Sequence, residues 1–164
     1  MKYYSYIFQQ IISLENLFLA WEEFKKDKQK KNDVLAFEWE LEKHILELHR
    51  DLKYHTYKHD VYTAFMITDP KQRHIHKATV RDRIVHHAIY RVLYPMFDNT
   101  FVYDTYSCRL KKGSHKAVRR LEKFSGKVSR NYTHPCFALK CDVKKFFDSV
   151  DHQILFNLLK KKNV

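Results

Sequence analysis

Cysteine, glycine and proline are all scarce in this sequence. Its 164 residues include three cysteines, two glycines and three prolines. The cysteines are odd in number and lack the paired spacing of zinc ligands, which argues against a disulfide framework and favours a reduced, cytoplasmic compartment. Neither internal repeats nor low-complexity linkers are present.

Long apolar runs are also lacking. The partly apolar stretch from Tyr3 to Ala20 is interrupted by Gln9, Gln10 and Glu15. It therefore predicts neither the apolar core of a signal peptide nor a membrane span. From these absences we expect a cytoplasmic protein that has no membrane partner.

Positive charge, by contrast, is abundant. Lys and Arg number 31 against 19 Asp and Glu, which gives a net charge of +12. Such an excess favours a polyanionic partner, because each neutralised phosphate releases condensed counterions. Aromatic residues make up 15% of the chain, and their rings either stack on bases or fill a core. A merely basic protein is the alternative that charge alone leaves open.

Residues 1–55 have the apolar spacing of helices. Leu17, Trp21 and Phe24 recur at helical intervals between charged positions and predict an amphipathic helix that runs into the charged segment 28–31. A single second helix is predicted to carry Phe37 through Leu52. Both helices are interpreted as packing elements that carry no chemistry.

The next segment favours a β-hairpin. Residues 54–67 are rich in strand-forming side chains, Asp69-Pro70 signals a turn, and residues 73–77 alternate in the manner of a strand. Lys71 and Arg73 are expected near the tip of the hairpin or along one face. Such cations can hold a triphosphate, Arg through its fork and Lys as a point charge, or they are simply two solvated charges.

Two further helices are predicted before the last segment. One begins at Arg81 and ends near Pro95, with Ile89 among the residues expected on its buried face. The other is expected to take Ser114 as its N-cap. A basic loop that leads into a helix N-terminus is a natural phosphate site, and a simple capped helix explains the same residues equally well. Residues 125–135 are expected to be a polar connector.

The last segment alternates like a strand and then becomes helical. Residues 137–143 place apolar side chains at every second position, with Asp142 on the polar side. Because aspartate is depleted in strands, Asp142 is either a Mg²⁺ ligand that faces substrate or an ordinary strand-end residue bonded to a loop. Asp151 suits the N-cap of a final helix whose apolar face carries Ile154, Leu155, Leu158 and Leu159.

Three blocks of the sequence resemble one known family. Residues 142–152 (DVKKFFDSVDH) are similar to the first palm motif of reverse transcriptases, closest to the bacterial group II intron and diversity-generating retroelement types. Residues 70–75 (PKQRHI), with Arg81-Asp82-Arg83 downstream, resemble the fingers motif of these enzymes. Residues 106–117 (YSCRLKKGSHKA) resemble the block between fingers and palm.

The resemblance implies roles for particular residues. Asp142 would be catalytic and, together with Val143, would hold Mg²⁺. Phe147 would be the gate that rejects a 2′-hydroxyl, since a flat ring under the sugar leaves no room for the extra oxygen. Lys71 and Arg73 would contact the incoming nucleotide, and Arg109 would contact substrate or template.

The resemblance also implies an architecture and a reaction. The fold class would be α+β: N-terminal helices in 1–55, fingers in 56–134 and the start of a right-hand polymerase palm in 135–164. The complete enzyme would be an RNA-directed DNA polymerase that uses Mg²⁺, an RNA template, a DNA primer and deoxynucleoside triphosphates.

One motif that such a polymerase needs is missing from these 164 residues. The sequence contains no Tyr-x-Asp-Asp, which in this family supplies the second acidic cluster for two-metal catalysis. We therefore expect the chain to be truncated or half of a split enzyme, inactive alone, with a second chain supplying the rest of the palm. The alternatives are a non-catalytic basic remnant that binds nucleic acid by charge, and a structural helical protein that happens to be basic.

Overall fold

The computed structural model describes residues 6–161 and shows a chain of helices interrupted by one hairpin. These residues divide into two units, the first ending at Met96 and the second beginning at Phe97. In chain order the elements are α1 (Ile7–Ile12), α2 (Leu14–Lys25), α3 (Asn32–Trp39), α4 (Leu41–Lys53), β1 (Thr63–Ile67), β2 (Arg73–Lys77), α5 (Val80–Phe97), a 3-10 turn (Asp98–Thr100), α6 (Ser114–Val128), a second 3-10 turn (Phe147–Ser149) and α7 (His152–Lys160).

The hydrophobic core belongs to the first unit. Helices α2, α3, α4 and α5 each bury one face in it, and burial of each large apolar side chain contributes about 1.5–3 kcal/mol. The predicted apolar face of α2 is confirmed. The core is formed by Leu17, Ala20, Trp21, Phe24, Val34, Ile45, Leu48, Val80, Ile84, Val85 and Ala88.

The helix predicted to carry Phe37 through Leu52 is in fact two helices. Glu40 interrupts it with a non-helical backbone (φ −121°, ψ 40°), so α3 ends at Trp39 and α4 begins at Leu41. The apolar spacing continues across this break, which is why the sequence pattern alone did not reveal it.

Helix α5 is longer than predicted. It continues through Pro95 to Phe97, because a proline removes a single backbone donor and the last turn persists without it. The expectation that Ile89 is buried is wrong, since that side chain is 37% exposed. The face of α5 that meets the core consists of Val80, Ile84, Val85 and Ala88.

The predicted hairpin is confirmed, although its first strand is shorter than expected. Strands β1 and β2 pair antiparallel, with Phe65 opposite Ile75 at the centre and Ile67 opposite Arg73 at the turn end. Residues 54–62 form no strand, because only Thr63–Ile67 have partners in β2. The described chain is thus a mixture of helix and a small antiparallel sheet, as an α+β class requires.

The second unit buries very little. Within residues 97–161, Ser129 is the one fully buried residue, and both helices leave their apolar side chains largely exposed. Gly113, at φ 140°, precedes α6, so Ser114 is the first helical residue rather than the cap. Helix α6 also continues to Val128, which shortens the predicted connector to residues 129–135. Glycine suits position 113 because residues with a side chain rarely adopt a φ of 140°.

Candidate functional site

The hairpin presents the two basic residues predicted from the sequence. Lys71 lies in the connection between the strands, Arg73 is the first residue of β2, and both side chains are exposed. At the other end of the hairpin, Lys77 forms an ion pair with Asp33 at 2.7 Å. The same carboxylate also receives a bond from Arg83 of α5 at 2.8 Å, so the base of the hairpin is fastened to the helical core.

Asp33, the carboxylate that pairs with both Lys77 and Arg83, is stabilised in its charged form. Burial opposes ionisation of Asp33, but the hydrogen bonds from Lys77 and Arg83 outweigh it and hold the pKa of this carboxyl below its usual value. Asp33 therefore stays charged at neutral pH and keeps both cations in position.

A second carboxylate, Asp82, anchors the segment that enters the hairpin. Its side chain is fully buried and accepts hydrogen bonds from the Tyr57 hydroxyl at 2.6 Å, the Thr79 hydroxyl at 2.6 Å and the backbone N–H of Asp60 at 3.2 Å. The Thr79 hydroxyl in turn accepts from the Asp82 N–H at 3.3 Å, which caps the first turn of α5.

Ionisation of Asp82 is favoured by these bonds. Burial opposes the charged form, yet the hydrogen bonds from Thr79, Tyr57 and the Asp60 N–H keep the pKa of Asp82 below its usual value. Burial and the bond to Asp82 also raise the pKa of Tyr57. This network, which the sequence analysis did not identify, fixes the path of residues 57–62 toward β1.

The loop before α6 is organised by Arg109. Its guanidinium donates to Asp98 Oδ1 at 2.7 Å, to the Asp98 carbonyl at 2.9 Å and to the Val102 carbonyl at 3.2 Å, and its side chain is only 10% exposed. These contacts give Arg109 a structural role in the loop. Its predicted contact with substrate or template stays a prediction.

The strand predicted over residues 137–143 is wrong. These residues have no hydrogen-bonded strand beside them, and Phe137 and Leu139 are 96% and 91% exposed. A strand exists only when a neighbour satisfies its backbone groups, and the structure shows no strand within residues 97–161 to do so. The side chains of Asp142 and Val143 are exposed on this irregular segment.

The residues from 147 onward form regular local structure. Phe147 begins a 3-10 turn, is 87% exposed and contacts Phe146 edge to face at 5.4 Å between ring centroids. The predicted N-cap is confirmed, since Asp151 Oδ1 accepts from the N–H groups of Gln153 at 2.8 Å and Ile154 at 3.0 Å. The apolar side chains of α7 are accessible, as expected of a helix face without a cover.

Asp142 and Val143 can supply only some of the ligands that a magnesium ion takes. Mg²⁺ prefers oxygen ligands in a near-octahedral set, and Asp142 offers one carboxylate while Val143 offers only its backbone carbonyl. Among residues 6–161, no three His, Cys, Asp or Glu side chains come together in a way that could hold a metal ion.

No family model matches this chain, and no curated protein matches it. In the part of the chain that the structure describes, no helix is long and apolar enough to cross a membrane. The hairpin residues Lys71 and Arg73 belong to the first unit, whereas Arg109, Asp142 and Phe147 belong to the second.

Proposed function

We propose that this chain forms the fingers and the first palm segment of an RNA-directed DNA polymerase of retroelement type. The observation that carries the proposal is the motif at residues 142–152, in which a solvent-accessible aspartate precedes a solvent-accessible phenylalanine by five positions. Support also comes from the neighbouring blocks, because the hairpin presents Lys71 and Arg73 to solvent at one end while its other end is fastened.

Each residue has a task that follows from its chemistry. Lys71 and Arg73 would bind the triphosphate of the incoming nucleotide, since both are exposed cations near the tip of the hairpin. Phe147 would lie under the sugar and exclude a 2′-hydroxyl. Asp142 would contribute one carboxylate to a metal centre completed by a second acidic cluster.

That second cluster defines the partner. Polymerases of the family that this chain resembles use two metal ions, so we infer that a polypeptide carrying Tyr-x-Asp-Asp completes the site with Asp142. The exposed apolar side chains of α6 and α7 support this inference, because exposed apolar patches of this kind mark contact surfaces.

Primer extension tests the proposal. The chain is incubated with a primed RNA template, Mg²⁺ and deoxynucleotides, alone and together with a co-expressed polypeptide that carries Tyr-x-Asp-Asp. We expect no synthesis by the chain alone and synthesis by the pair. Asp142→Asn should abolish it, whereas Asp27→Asn, an equal charge change at an exposed aspartate of the 26–31 loop, should not.

A sugar-selectivity arm sharpens the test. Phe147→Ala in the active pair should allow ribonucleotides to be incorporated, while Phe137→Ala, another exposed phenylalanine of the same unit, should leave selectivity unchanged. Robust DNA synthesis by the isolated chain would contradict the proposal that a second polypeptide must complete the metal centre. Undiminished synthesis by Asp142→Asn in the pair would contradict the polymerase assignment itself.

A non-catalytic nucleic-acid-binding protein is the second candidate, and the net charge of +12 favours it. Binding by charge alone falls steeply with salt and shows no preference for a primed template. A competition between primed and unprimed RNA therefore separates the two candidates, because a polymerase half with its partner should prefer the primed form.

A further inference from the structure

A basic pocket lies on the second unit beside α6. It encloses about 280 Å³ and has two tyrosines, Tyr103 and Tyr106, in its wall. The remainder of its lining is cationic, supplied by Lys111, Lys112, Lys116, Arg119, Arg120 and Lys123. We call this surface the α6 basic pocket.

The charge of the α6 basic pocket is scarcely neutralised by the protein. Arg120 donates to Asp104 through Nε at 2.9 Å and Nη2 at 3.3 Å. Within residues 6–161, none of the other five cations of the pocket has a carboxylate within ion-pair distance. Six like charges around one cavity repel one another, so an anion that enters it relieves this repulsion.

The tyrosines hold two of the cations in place without cancelling their charge. Lys112 Nζ lies 4.1 Å from the ring centroid of Tyr103 and 5.0 Å from that of Tyr106, and the Arg120 guanidinium lies 5.4 Å from the Tyr103 ring. Lys112 also donates to the Tyr103 carbonyl. Cations ordered in this way lose less conformational entropy when a ligand binds.

The spacing of the cations fits a chain of phosphates rather than one. Lys116, Arg120 and Lys123 recur at intervals of four and three residues, so they lie along one face of α6. At about 1.5 Å per residue they span roughly 10 Å of the helix axis. A single phosphate is too small to reach all three cations, whereas successive phosphates of one strand can follow this length of the helix.

We propose that the α6 basic pocket binds the phosphate backbone of single-stranded nucleic acid. The choice of nucleic acid rests on the proposed function, and a basic groove with aromatic side chains is the usual form of such a site. An anionic membrane surface fits less well, because the cations converge on a concave cavity while a bilayer is flat. The apolar side chains Val118 and Leu121 of α6 are absent from the pocket lining.

Fluorescence anisotropy with a labelled oligouridylate, in EDTA and over a range of KCl concentrations, tests the proposal. The variant is Lys116→Gln/Arg119→Gln/Lys123→Gln, whose three side chains are exposed. The matched control is Lys26→Gln/Lys30→Gln/Lys31→Gln, which removes the same charge from exposed positions in the first unit.

The expected effect is large and specific to the pocket. Three fewer phosphate contacts should lower the slope of log affinity against log salt by about 2, since each contributes about 0.7 on single strands. If affinities converge near 1 M salt, the pocket variant binds about a hundredfold more weakly at about 0.1 M. The control variant should change affinity several-fold at most. A charge-retaining variant, Lys116→Arg/Arg119→Lys/Lys123→Arg, should bind as the parent does.

Several outcomes would overturn the proposal. Equal weakening in both glutamine variants would mean that net charge alone governs binding. Pocket-dependent binding to phosphatidylserine vesicles without binding to RNA would assign the surface to a membrane. The assay contains EDTA, no partner and no deoxynucleotides, so it measures this site in the absence of nucleotidyl transfer. Failure of the polymerase assignment and failure of this site are therefore separable.

Discussion

Replacement of the buried carboxylate Asp82 by its isosteric amide is the sharpest test of how the hairpin is anchored. Asp82 is fully buried and accepts three hydrogen bonds, from Tyr57, Thr79 and the backbone of Asp60. Asparagine preserves the shape of the side chain but removes its charge and half of its acceptors. In Asp82→Asn, the amide oxygen can still accept the bonds from Thr79 and the Asp60 N–H, but these bonds are now between neutral groups. The amide nitrogen cannot accept from the Tyr57 hydroxyl and must donate to it instead.

The magnitude follows from the number of bonds. A hydrogen bond to a charged group contributes about 1.5–3 kcal/mol and a neutral one about 0.5–1.5 kcal/mol, so each of the three bonds weakens by about 1 kcal/mol. We therefore expect Asp82→Asn to lower the free energy of unfolding by about 3 kcal/mol. Asp27→Asn, the same chemical change at an exposed residue, should alter it by less than about 0.5 kcal/mol.

Urea unfolding followed by tryptophan fluorescence measures this loss. Trp21 is fully buried in the core of the first unit, whereas Trp39 is 90% exposed, so the signal change reports mainly on Trp21. With a denaturant slope of about 1.5 kcal/mol/M, the midpoint should fall by roughly 2 M urea.

The loss of unfolding free energy in Asp82→Asn should also depend on pH. The hydrogen-bonded carboxylate has a folded-state pKa below its unfolded value, so its stabilisation is fully present above the unfolded pKa of about 4 and disappears as the pH falls through the folded pKa. The difference in unfolding free energy between parent and Asp82→Asn should therefore shrink as the pH falls below about 4. A loss under about 1 kcal/mol at neutral pH, or one that grows as the pH falls below about 4, would refute the reasoning.

Two further predictions concern the apolar surfaces. Ile45→Ala, at a fully buried position of α4, should cost about 2–5 kcal/mol in urea unfolding, while Leu46→Ala, at its 52% exposed neighbour, should cost less than about 1 kcal/mol; equal losses would contradict the assigned core. Ile154→Gln/Leu158→Gln should reduce association with the Tyr-x-Asp-Asp polypeptide in sedimentation velocity, because it removes apolar side chains that α7 exposes. Unchanged association would show that this face is not the contact.

Several elements could be predicted from the sequence because their causes are local. The apolar spacing of α2 and the alternation of β2 are readable within a few residues. The N-cap of α7 is equally local, since Asp151 bonds to N–H groups two and three positions away. In each case the interactions that define the element lie inside the segment that the pattern covers.

The role of each charged residue could not be predicted in this way. The run Arg81-Asp82-Arg83 looks uniformly polar, yet Asp82 is fully buried, and the hydroxyl that holds it belongs to Tyr57, 25 positions earlier. Arg109 donates to Asp98, 11 positions earlier, and this partner is not evident from the sequence around either residue. Which partner a charge finds depends on how the chain folds back on itself.

The segment around Asp142 shows most plainly which features depend on local sequence and which depend on tertiary contacts. Its sequence determined an alternating pattern and a capped helix to follow, and the capped helix is present in the structure. Only the tertiary structure decided that residues 137–143 are not a strand. A strand is completed by backbone hydrogen bonds to a neighbour, and no periodicity within a segment can supply that neighbour.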